Sequence, residues 1–139
     1  MSSRRRAREV ALRTLYQVDI TEFPWQNLLK ENAHKENLDQ ATLEFTTNLI
    51  KNVLHNQEKL DNLIKAKLQH WDFDRVNLMD KNVLRMALAE MLFFPEIPIK
   101  VSIDEAIELA KKYSYAEAGS FVNGILDAIA KSTKEIISR

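Results

Sequence analysis

Five of the chain's eight arginines, Arg4, Arg5, Arg6, Arg8 and Arg13, lie within its first thirteen residues. Glu9 alone opposes them there, so the stretch carries a net +4; because the whole chain sums to zero, the remainder carries −4. A guanidinium is a planar, permanently charged fork that matches phosphate oxygens and base edges, which a lysine ammonium does not. Tyr16 adds an aromatic face nearby, and a ring among cations can stack a base while the phosphate is gripped. Residue types and spacing therefore indicate recognition of a single-stranded nucleic acid, RNA first. The plainer alternative is a solvated N-terminus, with Leu12 and Tyr16 turned toward another helix.

These residues need a scaffold. At 100° per residue, Ala7, Val10, Ala11, Thr14, Leu15 and Val18 fall within roughly 140° of arc, the width of a stripe facing a core. Arg5, Leu12, Arg13 and Tyr16 then project from the other, exposed side. With two glycines and three prolines among 139 residues, turn signals are too few for a sheet protein of this size, and the chain reads as all-α. A 45% apolar content over that length supports one domain, or two small subdomains sharing a core. The absence of cysteine excludes disulfides and thiolate zinc sites and matches a reducing compartment, so the expected location is cytoplasmic. No apolar run is long enough to span a bilayer or to act as a secretory signal.

The first helix is expected to end near Asp19. Pro24 suits the opening of a second helix that turns Trp25, Leu28 and Leu29 inward. Asp39 is placed to cap a third helix carrying Leu43, Thr46, Leu49, Ile50, Val53 and Leu54, and Asn56 to stop it and cap the next. A fourth buries Leu60, Leu63, Ile64 and Leu68 and runs to Trp71-Asp72-Phe73-Asp74. The fifth, from about Val76 to Phe93, is apolar around most of its circumference and should lie inside the bundle, its methionines serving as packing. Pro95-Glu96-Ile97-Pro98 forms a rigid connector. Ser102-Ile103-Asp104-Glu105 has the form of a capping box opening a sixth helix at about 103–113. Ser114 and Glu117 repeat that spacing before a last helix with Phe121, Val122, Ile125, Leu126 and Ile129. Gly119 and Gly124, costly in a helix, imply close crossings there.

Chemistry that would make an enzyme is absent. No glycine cluster follows a strand to cradle a nucleotide. His34, His55 and His70 sit in separate segments without metal-ligand spacing. Asp104, Glu105 and Glu108, like Asp72, Asp74 and Asp80, are explained by helix starts, where the dipole favours carboxylates. No serine has triad company. The expectation is a protein with no catalytic residues, no metal and no cofactor.

Four segments together resemble the NusB family of bacterial transcription antitermination factors: Arg4-Arg5-Arg6-Ala7-Arg8-Glu9 leading to Leu15-Tyr16; Asp80 through Glu90; Ile97 through Tyr113; and Phe121-Val122-Asn123-Gly124-Ile125-Leu126-Asp127. The resemblance covers essentially the whole chain and is most specific from Ile97 to Asp127. It implies an all-α bundle of about seven helices in two subdomains, about 1–70 and 71–139, forming one RNA-binding domain. It also implies binding of the boxA element of nascent ribosomal RNA together with NusE, a small-subunit ribosomal protein, and entry into a complex with RNA polymerase and other Nus factors. RNA contacts would come from Arg4, Arg5, Arg6 and Arg8, with Tyr16 nearby. Asp80, Lys81, Lys100, Glu117, Ser120, Phe121 and Asn123 would complete the surface. Ser114 to Gly119 departs from the family's usual glycine and polar pattern, and Phe121 is equally suited to the core.

Two other readings stay open on sequence. One is a protein-interaction scaffold, motivated by an exposed Leu12 and the Pro95–Pro98 elbow. The other is an RNA-binding domain of an RNA methyltransferase. The same apolar surface would serve NusE or a homodimer, in which the arginine face would be hidden as a storage form.

Overall fold

A computed structural model describes residues 2–68 and 72–139. His70 and Trp71, and with them the expected boundary between the two halves, lie outside the described residues. Among the described residues the chain forms eight α-helices and one 3-10 turn, with no strand. They are α1 (Ser3–Ile20), α2 (Trp25–Lys35), α3 (Gln40–His55), α4 (Gln57–Lys65), α5 (Leu78–Phe93), α6 (Ile99–Tyr113), α7 (Ala118–Ser132) and α8 (Lys134–Ile137).

Local chemistry sets most of the boundaries. Ser2 caps α1 by accepting from the Arg5 amide at 3.1 Å. Asp39 accepts from the Thr42 amide at 2.8 Å to open α3, and Asn56 closes it, both as expected; the Asn56 side chain does not cap α4, since its amide donates back to the Asn52 carbonyl at 2.8 Å. Asn77 caps α5 by accepting from the Asp80 amide at 2.8 Å. At the other end of α5 the Arg139 guanidinium donates to the carbonyls of Met91 at 2.8 Å and Pro95 at 2.7 Å, satisfying acceptors that the helix leaves open.

The helices share one core. Its axis is α5, where Val83, Leu84, Met86, Ala87, Leu88, Ala89 and Met91 are all buried, so this helix is enclosed as its composition requires. Helices α1, α3, α4, α6 and α7 pack around it, α2 leans on α1, and α8 folds back against α5 and α7. Gly119 makes the expected close crossing: a Cβ there would meet Lys111 Cγ at 3.2 Å and Ile107 Cγ2 at 3.4 Å. Gly124 does not, since it is exposed with nothing within 4 Å.

Further expectations change. Helix α4 ends at Lys65 instead of running on to Trp71, with Leu60 and Ile64 buried but Leu63 and Leu68 only half-buried. Leu12, placed outside by the single-stripe reading, is 2% exposed. With Ala7, Arg8, Val10, Ala11, Thr14 and Leu15 also buried, α1 is covered over roughly 200° of arc, because a second wall formed by α5 and α6 meets its other side. Helix α6 begins at Ile99, with Pro98 as its cap, three residues before the Ser-x-x-Glu box. Ser102 is therefore inside the helix, and its hydroxyl donates to Glu90 Oε1 at 2.9 Å.

Glu90 is the partner that explains this. Arg8 grips it through both edges of the carboxylate, Nε to Oε2 and Nη2 to Oε1, each at 2.8 Å, with side chains 5% and 2% exposed. A second buried cation, Arg85, binds Asp61 at 2.7 and 3.0 Å and reaches Asp19 at 3.4 Å. Helix α5 thus carries two charges that fasten opposite ends of α1. Removing one member of a fully buried pair strands the other charge, which costs roughly 3–5 kcal/mol, whereas replacing both by apolar groups is often neutral. Arg8→Ala is expected to lower the unfolding free energy by about that amount in urea titrations. A double Arg8→Met, Glu90→Leu variant should recover most of the loss.

Candidate nucleic-acid interface

The arginine-rich turn of α1 does not fan freely into solvent. At 100° per residue Arg4, Arg5 and Arg6 point in three directions, and each finds a different neighbour. Arg4 is exposed, its guanidinium 4.0 Å above the Phe45 ring, which meets Phe94 edge-on at 5.5 Å. Arg6 donates to the Glu36 carbonyl at the end of α2. Arg13 stands 3.5 Å from the Glu36 carboxylate. Arg5 turns to α6, where Nε donates to Glu105 Oε1 at 3.0 Å and Nη2 to Oε2 at 2.6 Å, while 47% of its side chain stays exposed.

Arg8 must be corrected as an RNA contact. Its guanidinium is buried, its Nε and Nη2 donors are spent on Glu90, and Nη1 lies 3.6 Å from Glu105 Oε1. Helical geometry turns this position inward, and the apolar wall there tolerates a charge only with its counter-ion. Asp80 is corrected for a related reason. It is 1% exposed, hydrogen-bonded to Asn77 Nδ2 at 3.1 Å, and its Oδ1 is the one buried side-chain oxygen among the described residues without a partner. Burial pushes its carboxyl up, opposed by the nearby Ser114 hydroxyl and Asn77. Asp80 completes the start of α5 and, being buried, is not in reach of a ligand.

The remaining candidates divide between two places. Arg5, Glu9 and Tyr16 follow one another along α1, opposite Glu105, Lys112 and Tyr113 along α6. Arg5 pairs with Glu105, Lys112 donates to Glu9 at 2.8 Å, and Tyr16 and Tyr113 line one cleft. The two helices therefore run alongside each other in the same sense. The seam is ionic at its start. It becomes an apolar cleft of about 390 Å³ between Tyr16, Ile20, Met79 and Tyr113 at its far end. Lys81, half-buried, holds its ammonium 4.5 Å from the Phe73 ring centroid. Lys100 is fully in solvent beside Asp104 at 3.2 Å. On α7, Glu117, Ser120 and Asn123 are exposed and Phe121 is half-buried against the core, so Phe121 serves packing as well as any contact.

Glu90, Ser102 and Glu105 escape a reading based on basic residues and caps. Glu90 does leave a signal: a carboxylate between Ala89 and Met91 in an enclosed apolar helix demands a buried cation. Glu105 is 16% exposed on its side chain and stands between two cations. The Arg5 hydrogen bond, outweighing burial and aided by the charges of Arg5 and Arg8, holds its carboxyl below the usual range. Its ionised form thus favours the folded state. That stabilisation is present above the unfolded-state value near 4.3 and is lost as pH falls through the lower folded value. Wild type minus Glu105→Gln, compared by thermal unfolding, should shrink as pH is lowered from 7 through the range below about 4. A pH-independent difference would take the carboxylate charge out of the account.

The architecture and sequence have clear relatives. Residues 5–131 match the model of the NusB family. The transcription antitermination protein NusB of Elusimicrobium minutum is 45% identical over 96% of this chain and 97% of its own length. That of Desulfatibacillum aliphaticivorans is 40% identical over 93% and 90%. Among solved structures, NusB of T. maritima superposes with a TM-score of 0.88 at 39% identity, covering 98% of this chain and 97% of that one. A chain of the crystal structure of antitermination factors NusB and NusE in complex with double-stranded RNA gives 0.86 at 30% identity, covering 95% and 98%. A family match over nearly the whole length, carried by the same all-α arrangement, makes this chain a member of the NusB family of transcription antitermination proteins.

Proposed function

We propose that the protein acts as a transcription antitermination factor in the cytoplasm. It binds boxA-containing single-stranded RNA of nascent ribosomal RNA transcripts together with NusE, and joins RNA polymerase and other Nus factors. The observation that carries this reading is the likeness, over 95% of the chain, to a protein crystallised with NusE and RNA. The chain's own chemistry supports it. Arg4 and Arg5 keep exposed guanidinium edges, Tyr16 and Tyr113 offer rings at the α1–α6 seam, and Lys100 adds a solvated cation. Accessible bases of a single strand are what such a surface reads by stacking and edge contacts.

In this reading Arg4, Arg5, Arg6, Tyr16, Lys81, Lys100, Glu117, Ser120, Phe121 and Asn123 form the RNA side. Arg8 and Asp80 support it from within. The halves 1–70 and 71–139 act as two subdomains that together build this face. A homodimer would be a storage form in which the arginine side is covered. The scaffold reading loses one of its two motives, since Leu12 is buried, and keeps only the Pro95–Pro98 elbow. A duplex-binding reading has one observation in its favour, the double-stranded RNA in the related complex.

The test is a titration of a boxA oligonucleotide, a scrambled strand and a duplex into the protein with and without NusE. The expected order is boxA single strand above both others, with the difference enlarged by NusE; equal affinities would reject the reading. With three arginines of α1 neutralising phosphates, log affinity should fall against log salt with a slope near −2, at roughly −0.7 per phosphate. Arg4→Ala and Arg6→Ala should each flatten it.

A further inference from the structure

From Ser102 to the surface, alternating polar groups form a continuous chain. The Ser102 hydroxyl donates to Glu90, Glu90 binds Arg8, Arg8 faces Glu105, and Glu105 binds Arg5. Side-chain exposure rises along it from 2% at Glu90 through 5% and 16% to 47% at Arg5. Its inner members, Glu90 and Arg8, are fixed by bidentate contact in the interior, and exposure is greatest at its outer member.

The geometry of the last contact is informative. Glu105 takes the Nε and Nη2 donors of Arg5, one long edge of the fork. A guanidinium has five N–H donors, so the end-on edge formed by Nη1 and the second Nη2 hydrogen stays unspent. That edge suits bidentate capture of a phosphate or of a guanine. The carboxylates nearest this place have cations of their own: Glu9 has Lys112 at 2.8 Å, and Glu108 has Lys111 at 3.8 Å.

We propose that Glu105 is a positioning residue for RNA recognition. It holds the Arg5 fork by one edge so that the end-on edge is presented to RNA in a fixed orientation, and Arg8 and Glu90 anchor Glu105 to the core. The proposal rests on the RNA-binding reading and deepens it. It also gives the buried arginine of the cluster a role, since Arg8 keeps Glu105 in place without touching the ligand. An unheld arginine would have to be immobilised on binding, which weakens affinity by roughly two- to tenfold per ordered side chain.

The opposite reading is that Glu105 competes with RNA for Arg5, and the two predict opposite signs. Affinity for the boxA oligonucleotide is measured with NusE present for wild type, Glu105→Gln, Arg5→Ala and the double variant, each first shown to be folded by its circular dichroism and melting curve. Glu105→Gln is expected to bind roughly two- to tenfold more weakly, and to add nothing once Arg5 is alanine. Unchanged or tighter binding by Glu105→Gln, or an equal loss in the Arg5→Ala background, overturns the proposal while leaving RNA binding intact. Wild type that binds no RNA overturns both. A second measurement uses wild type alone: the Arg5 Nε–H resonance should keep its carboxylate-bonded shift when RNA is added, and its loss would mean that RNA displaces Glu105.

Discussion

A charge taken out of water must bring its counter-charge with it, and that constraint organises this bundle. Glu90 sits on the most enclosed helix, where an unpaired carboxylate could not remain ionised without a large penalty. Arg8 answers it from α1 and Ser102 from α6, so one residue of α5 locates two neighbouring helices. Arg85 repeats the device with Asp61 of α4 and Asp19 near the end of α1. Apolar packing alone would let α1 slide, since Ala, Val and Leu recur along it. A slip of one turn, about 5.4 Å, would separate both buried pairs at once. The pairs contribute register more than net stability.

That register positions everything functional at the surface. With Arg8 pinned inward, the neighbouring positions are distributed by helical geometry: Arg4 over Phe45, Arg5 against α6, Arg6 toward the end of α2. Further along α1, Glu9 and then Tyr16 fall opposite Lys112 and Tyr113. The seam is therefore a consequence of where two buried charges are placed, with its ionic and apolar ends in fixed order.

Features that depend on a residue and its immediate chain neighbours are legible in the sequence. Asp39 as a cap, Asn56 as a stop, the enclosed apolar character of α5 and the tight crossing at Gly119 all follow from local propensity or one-helix periodicity. The features that escape are those decided by a distant partner. Ser102 and Glu105 have capping-box spacing, yet Pro98 already starts the helix. Glu90, twelve positions back on another helix, claims Ser102, while Arg5, 100 positions away, and Arg8 claim Glu105. Leu12 is misplaced by its own helix's stripe, which cannot show how many walls surround it. Arg8 looks like its neighbours until Glu90 is located across the core.

The same partner effects change what the arginine count means. A net +4 in thirteen residues suggests a field that draws RNA from a distance, but the carboxylates of Glu105, Glu90 and Glu36 pair with Arg5, Arg8 and Arg13, three of the five arginines. Paired charges largely cancel beyond the roughly 8 Å screening length of physiological salt. Long-range attraction by α1 is consequently reduced to what Arg4, over the Phe45 ring, and Arg6, on the neutral Glu36 carbonyl, supply. What survives pairing is short-range: unspent donor edges held in place, and rings at the end of the seam. Under the proposed function, recognition built that way would depend on fit, and an RNA would have to bring several groups into register at once. A second protein that lengthened the contact surface, as the proposed function has it, would add discrimination of a kind that more arginines on α1 could not supply.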